Sequence, residues 1–162
     1  MLDAVLPHGL QLRSATRADG PALLQLVTAV LAEHGLAADP AGTDADLQDV
    51  EQHYLRSGGW FVVVENAAGE IVGSVGLAPL AESGLVELRK MYLRPELRGL
   101  GVGRRLLLEA IAEARRRGFR CIRLETASVL KAAVALYVRH GFVPVTEGIH
   151  SARCDAAYQL EL

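Results

Sequence analysis

The segment Glu87-Leu88-Arg89-Lys90-Met91-Tyr92-Leu93-Arg94-Pro95-Glu96-Leu97-Arg98-Gly99-Leu100-Gly101-Val102-Gly103-Arg104 decides the fold. It reads as a buried strand that turns through glycines straight into an amphipathic helix. Pro95 marks the strand end, because it lacks a donor and disfavours helical backbone at Arg94. Gly99, Gly101 and Gly103 leave main-chain N–H groups uncovered where the positive end of a helix dipole begins, and Arg98 and Arg104 flank them. Such a turn offers both donors and charge to a di-anionic phosphate group.

Upstream, Trp60 to Glu65, Ile71 to Leu80 and Leu85 to Arg94 read as three strands joined by turns at Asn66 to Gly69 and Ala81 to Gly84, short enough for an antiparallel meander. Downstream, Val102 to Arg117 carries apolar Leu106, Leu107, Ala110, Ile111 and Ala114 at helical spacing and stops at Gly118. Cys121 to Thr126 reads as a strand, Leu130 to His140 as a helix stopped by Gly141, and Phe142 to Thr146 and Ala156 to Leu162 as closing strands. At the other end, Gly9 to Ala15 alternates as a strand. Asp19 then caps a helix with Pro21 in its first turn and Leu23, Leu24, Val27, Val30 and Leu31 on one face. Past a loop at Gly35 to Thr43, Asp44 or Asp46 is placed to cap a second helix through Tyr54 and Leu55, ended by Ser57-Gly58-Gly59.

The order βααβββαβαββ predicts an α/β fold: a mixed, mostly antiparallel sheet of about seven strands flanked by four helices. One parallel crossover is expected, spanning Leu85 to Thr126. No internal repeat, low-complexity tract or linker interrupts residues 1–162, which read as one domain.

Composition narrows the functional class. A hydrophobic fraction of 51% and a formal net charge of −2 describe a globular chain, not one held to nucleic acid by bulk positive charge. The run Arg115-Arg116-Arg117 reads as a solvated helix end favoured by the dipole. Met1 to Leu12 has no basic region leading a long apolar segment, and the apolar run Pro21 to Ala32 is shorter than the ~20 residues that cross a bilayer. A cytoplasmic protein with no membrane partner is expected. Cys121 and Cys154 lack CxxC spacing and the five histidines lack an HExxH pattern, so no metal is expected.

A dinucleotide site competes for the glycine turn, since Gly-x-Gly between strand and helix, with Glu125 ending the next strand, imitates that fingerprint. The imitation is incomplete. Arg104 stands where a third glycine should permit close helix packing, and too few βα units follow to build a second mononucleotide half.

The spacing Arg98-x-x-Gly101-x-Gly103, followed by Ala135-Leu136-Tyr137-Val138-Arg139-His140-Gly141-Phe142, resembles the GNAT superfamily of N-acetyltransferases, and the element order resembles that family's across essentially the whole chain. The resemblance implies acetyl-CoA as cosubstrate, with the amides of Gly99, Leu100, Gly101, Val102, Gly103 and Arg104 on its pyrophosphate. It also implies a bulge in the strand before the turn and a splay from Cys121 to Thr126 that opens a cleft. Along Met91-Tyr92-Leu93, the amides of Met91 and Leu93 would face pantetheine or the acetyl carbonyl, where an N–H stabilises the developing oxyanion.

By the same resemblance, acetyl passes directly to a primary amine on a small molecule, peptide or protein. Tyr137 is the implied general acid toward the departing thiolate, and Glu87 the implied general base. The other reading of Glu87 is an ion pair with Arg89, Lys90 or Arg123; Glu125, His140 and His150 are fallback bases. Leu130 stands where many relatives carry an amide residue that bonds the pantetheine arm, so Lys131 or Ser128 must substitute or affinity falls. A non-catalytic CoA-binding module is the alternative reading.

The resemblance also implies that the acceptor enters over His34 to Tyr54 and Pro144 to Asp155. The acids Glu33, Asp39, Asp44, Asp46, Asp49 and Glu51 suggest a cationic acceptor, against the plainer reading of a solvated helix face. His150 and Arg153 suggest a carboxylate clamp instead. Exposed strands at the carboxyl end allow a homodimer without requiring one.

Overall fold

The computed structural model describes residues 4–162. Among the described residues, eight strands form one sheet: β1 (Ala4–Val5), β2 (Gln11–Ser14), β3 (Trp60–Glu65), β4 (Ile71–Pro79), β5 (Leu85–Leu93), β6 (Cys121–Thr126), β7 (Val143–Val145) and β8 (Ala156–Glu161). Their spatial order is β1-β2-β3-β4-β5-β6-β8-β7. Every neighbouring pair is antiparallel except β5 with β6, the expected crossover. A single parallel pair in an antiparallel frame is not a doubly wound dinucleotide fold. The seven expected strands are present; β1, two residues long, adds an edge that carries no readable periodicity.

Helix α1 (Gly20–Ala32) covers one face of the sheet, while α2 (Val102–Arg116) and α3 (Lys131–Arg139) belong to the other. Strand β3 is buried on both faces, which explains its unbroken apolar run. Trp60, Val62 and Val64 join the core with Leu106, Leu107 and Ala110 of α2, whereas Phe61 and Val63 join Leu23, Val27 and Leu31 of α1. At the end of α2, Arg116 and Arg117 both pair with Glu113, as a charged helix terminus favours. Among the described residues, no helix is long and apolar enough to cross a membrane.

Two capping expectations change. Asp19 precedes α1 without a side-chain cap bond; its carboxylate turns back to the Thr16 amide, 2.7 Å away, and to Arg13. The second helical region is a 3-10 turn, Ala45–Gln48, followed by a π-helical turn, Glu51–Leu55. Neither Asp44 nor Asp46 caps it, because tertiary cations draw both carboxylates inward.

Candidate active site

Strands β5 and β6 pair only over Leu85–Glu87 and Cys121–Arg123, then part. On its other side β5 pairs with β4 through Leu88 and Arg89, and again at Tyr92 and Leu93, with a register shift between. Lys90 and Met91 therefore have no cross-strand partner in either neighbour. This is a β-bulge at the mouth of the splay. Lys90 has φ of 54°, a left-handed value that strains any residue with a Cβ. The Ser74 hydroxyl of β4 holds the bulge by donating to the Lys90 carbonyl at 2.6 Å.

The turn after β5 is built for backbone exposure. Gly99 and Gly101 have φ of 77° and 79°, and no heavy atom lies within 4 Å of where a Cβ would stand on either. Gly101 precedes α2, so the amides of Val102, Gly103 and Arg104 begin a helix and have no intrahelical acceptor. Gly103 serves packing: a Cβ there would lie 3.2 Å from Leu93, so the small residue lets α2 approach the strand. Arg104 and Leu100 are exposed. Arg98 is engaged elsewhere, bonding Glu33 at 2.6 Å and donating to the Leu93 carbonyl at 3.1 Å. It braces the turn from α1.

Where the strands part lies a cleft of about 420 Å³ whose wall includes Glu87, Met91, Leu130, Tyr137 and Cys154. The glycine turn lies beyond this enclosed part, past Leu93. Tyr137 comes from α3 and is buried, its ring tilted against Phe142 at 5.7 Å between centroids. Burial pushes its phenol pKa well above the ordinary value, with Tyr92 and Cys154 adding to the effect, so it stays protonated over the whole neutral range. Tyr92 packs toward the α1 face beside Arg153, and burial raises its phenol too.

Glu87 lines the cleft and accepts from Arg89 Nε through Oε1, one of the ion pairs open to it from sequence. Glu125 is a loop anchor, accepting from the amides of His150 and Ser151 at 2.7 and 2.8 Å. His140 lies outside the cleft lining, its Nδ1 2.9 Å from the Leu136 carbonyl at the end of α3. His150 lines the mouth and is exposed. Ser128 bonds Asp155 through both its amide and its hydroxyl, each at 2.7 Å, and so is not turned to the work of the missing amide at Leu130.

The acidic segment is not an open patch. Glu33 pairs with Arg98, Asp49 with Arg17, Glu51 with Arg56, and Asp39 closes its own turn on the Thr43 amide. Asp44 is buried between Lys90 Nζ at 2.6 Å and both terminal nitrogens of Arg153 at 2.7 and 2.9 Å. Burial opposes its ionisation, but those bonds and the Asp39 amide outweigh it and hold its pKa below the carboxylate range. Arg153 is thereby committed to Asp44 and is not a free carboxylate clamp. Asp46 accepts from the buried Tyr54 hydroxyl and lies 3.3 Å from Lys90 Nζ. Sequence reading weighed Lys90 only as an ion-pair partner for Glu87, whereas it pairs with Asp44 and Asp46, and it passed over Ser74. The available signal was a lone hydroxyl in the apolar strand around Val72 and Val75, facing a lysine in a strand otherwise assigned to the core.

The family model for the acetyltransferase (GNAT) family matches residues 22–142, from α1 through the splayed strands and glycine turn to Phe142. The chain belongs to the GNAT acetyltransferase family. This N-acetyltransferase is 41% identical over 145 residues to the uncharacterized N-acetyltransferase YjgM of Escherichia coli, covering 87% of this chain and 86% of that protein. Its fold is similar to that of a GNAT-family acetyltransferase from Staphylococcus aureus, with TM-score 0.87 and 24% identity over 94% of this chain and 98% of the other. It is also similar to a phosphinothricin acetyltransferase from Sinorhizobium meliloti solved in complex with acetyl-CoA, with TM-score 0.72 and 24% identity over 95% and 89% of the two chains. The acetyltransferase places its bulge, glycine turn and Tyr137 within the span that the family model matches.

Proposed function

We propose that this acetyltransferase moves acetyl from acetyl-CoA directly to a primary amine of a small molecule, peptide or protein, with residues 1–162 working as one domain in the cytoplasm and without metal, nucleic acid or membrane. The observation that carries the reading is the parting of β5 from β6 where Met91 loses both neighbours, on the same cleft as the buried Tyr137. The residues fit the ligand. The open left-handed glycines and helix-start amides from Gly99 to Arg104 suit a pyrophosphate, with Arg104 free to add charge and Arg98 bracing the turn.

When bound, acetyl-CoA supplies a thioester-activated acetyl group. The Met91 N–H donates to the acetyl carbonyl oxygen, and the main chain at Tyr92 and Leu93 aligns the pantetheine arm. Glu87 takes a proton from the incoming ammonium at Oε2, while Arg89 holds Oε1. Tyr137 Oη donates to the departing sulfur; burial keeps the phenol protonated and so in the form that can donate. Cys121 is buried in β6 outside the cleft lining and its thiol pKa is raised by burial, so it is not an acyl carrier. Leu130 leaves the pantetheine arm to backbone contacts.

The test is release of free CoA thiol from acetyl-CoA against a panel of primary amines, amino acids and peptides, for the wild type and Tyr137→Phe. Thiol release that depends on the amine is expected, with kcat falling about 100-fold in the variant and acetyl-CoA Kd changing less than about threefold. No amine-dependent release with any member of the panel would overturn the reading.

A further inference from the structure

We propose that Lys90 is a positioning residue: its ammonium, locked into a buried cluster with Asp44, Asp46 and Arg153, fixes the bulge that aims the Met91 amide and ties it to both loops of the acceptor mouth. The inference rests on the assignment of Met91 to the acetyl carbonyl. Three stretches of chain meet at Asp44. Lys90 brings the bulge, donating to the Thr43 carbonyl at 3.0 Å and to Asp44 at 2.6 Å. Arg153 brings the loop before β8, with two bonds to the same carboxylate. The segment from Asp39 to Asp46 supplies both acids, and its Thr43 hydroxyl lies 3.3 Å from that of Ser151 in the same β7–β8 loop.

The cluster is electrically balanced, two cations against two carboxylates, and is shielded: the side chains of Lys90 and Asp44 are 5% and 0% exposed. A surface lysine in such a strand would leave the bulge free to shift. Here the bulge is held at both ends of the same residue, by Ser74 at its carbonyl and by Asp44 and Thr43 at its ammonium. A glycine would adopt φ of 54° without strain, so what lysine adds at this position is its side chain. The orientation of one amide, set by a single residue, thereby becomes coupled to the walls that receive the amine.

The test compares acetyl-CoA with CoA, which differ only in the group that Met91 contacts, and needs no acceptor. In calorimetric titration the wild type should bind acetyl-CoA about fivefold more tightly than CoA, the worth of roughly one hydrogen bond. Lys90→Leu and Lys90→Gly should keep CoA Kd within about twofold and lose the preference for the acetylated form. Lys90→Leu keeps the backbone strain and Lys90→Gly relieves it, so a loss of preference shared by both belongs to the side chain and not to strain. The chain has two methionines, Met1 and Met91, so ¹⁵N-methionine labelling gives a direct readout. The Met91 amide resonance should move with acetyl-CoA more than with CoA in the wild type and move equally with both in the variants. A folded Lys90 variant that keeps the wild-type preference would overturn the proposal, as would a wild type that binds both ligands equally. A wild type that binds neither ligand would instead overturn the acetyl-CoA reading itself.

Discussion

The two ends of the cleft are built on opposite plans. At the phosphate end the chain uses bare backbone, with left-handed glycines, open space where side chains would stand and a helix start without acceptors. At the other end a buried network centred on Asp44 engages Lys90, Arg153 and the Asp39 amide. The first plan suits a ligand whose charge can be met by main-chain donors alone. The second suits a wall whose shape must be set before an amine arrives, because an unfilled buried charge is costly. On the proposed function, recognition of the donor falls to backbone and definition of the acceptor mouth to side chains.

The sharpest way to break this comparison is at Asp44. Asp44→Ala takes from Arg153 its carboxylate partner and leaves Lys90 only Asp46 at 3.3 Å, one acid against two buried cations, and urea unfolding should show a loss of about 3–5 kcal/mol. A loss below 1 kcal/mol would mean that the network is incidental. At the opposite end the balance between stability and binding should reverse. Gly101→Val forces a branched residue into φ of 79° and screens the helix-start amides, costing about 1–2 kcal/mol of stability but at least about tenfold in acetyl-CoA affinity. Unchanged affinity would detach the turn from binding.

Acid should act on the Asp44 network. The folded-state pKa of Asp44 is depressed, so its contribution is complete above the ordinary carboxylate value of about 4 and fades as pH falls through the depressed one. The stability gap between wild type and Asp44→Asn should therefore hold from pH 7 to about pH 5 and narrow toward pH 2.5; a gap independent of pH would contradict the assignment. The smallest effect belongs to Glu33→Gln, which removes a solvent-exposed partner of Arg98. It should shift stability by less than about 1 kcal/mol and acetyl-CoA Kd by less than about threefold in the same titration, since Arg98 retains the Leu93 carbonyl.

The same division explains what could be read from the sequence. Glycine punctuation is local, and so Gly118 and Gly141 stop α2 and α3 where expected, and Cys121–Thr126 emerges with its bounds unchanged. The turn at Gly99 to Gly103 and the buried Tyr137 were legible for that reason. The acceptor end was not, because its order comes from partners remote in sequence: Lys90 is 46 residues from Asp44, and Arg153 is 109. Read locally, Asp44 and Asp46 look like helix caps or surface acids. Read in the fold, they are buried counter-ions, and the helix they would have capped gives way to 3-10 and π turns. The place of the bulge escapes pattern reading as well, since a lysine at positive φ follows from tertiary restraint and runs against local preference.

The central claim is that bare backbone at the glycine turn and the splayed strands together form an acetyl-CoA site. Isothermal titration with acetyl-CoA, with NADH and ATP as controls on the same protein, tests it most directly. Saturable one-site binding of acetyl-CoA with silent controls is predicted. Absence of acetyl-CoA binding, or equal binding of the nucleotides, would contradict the account.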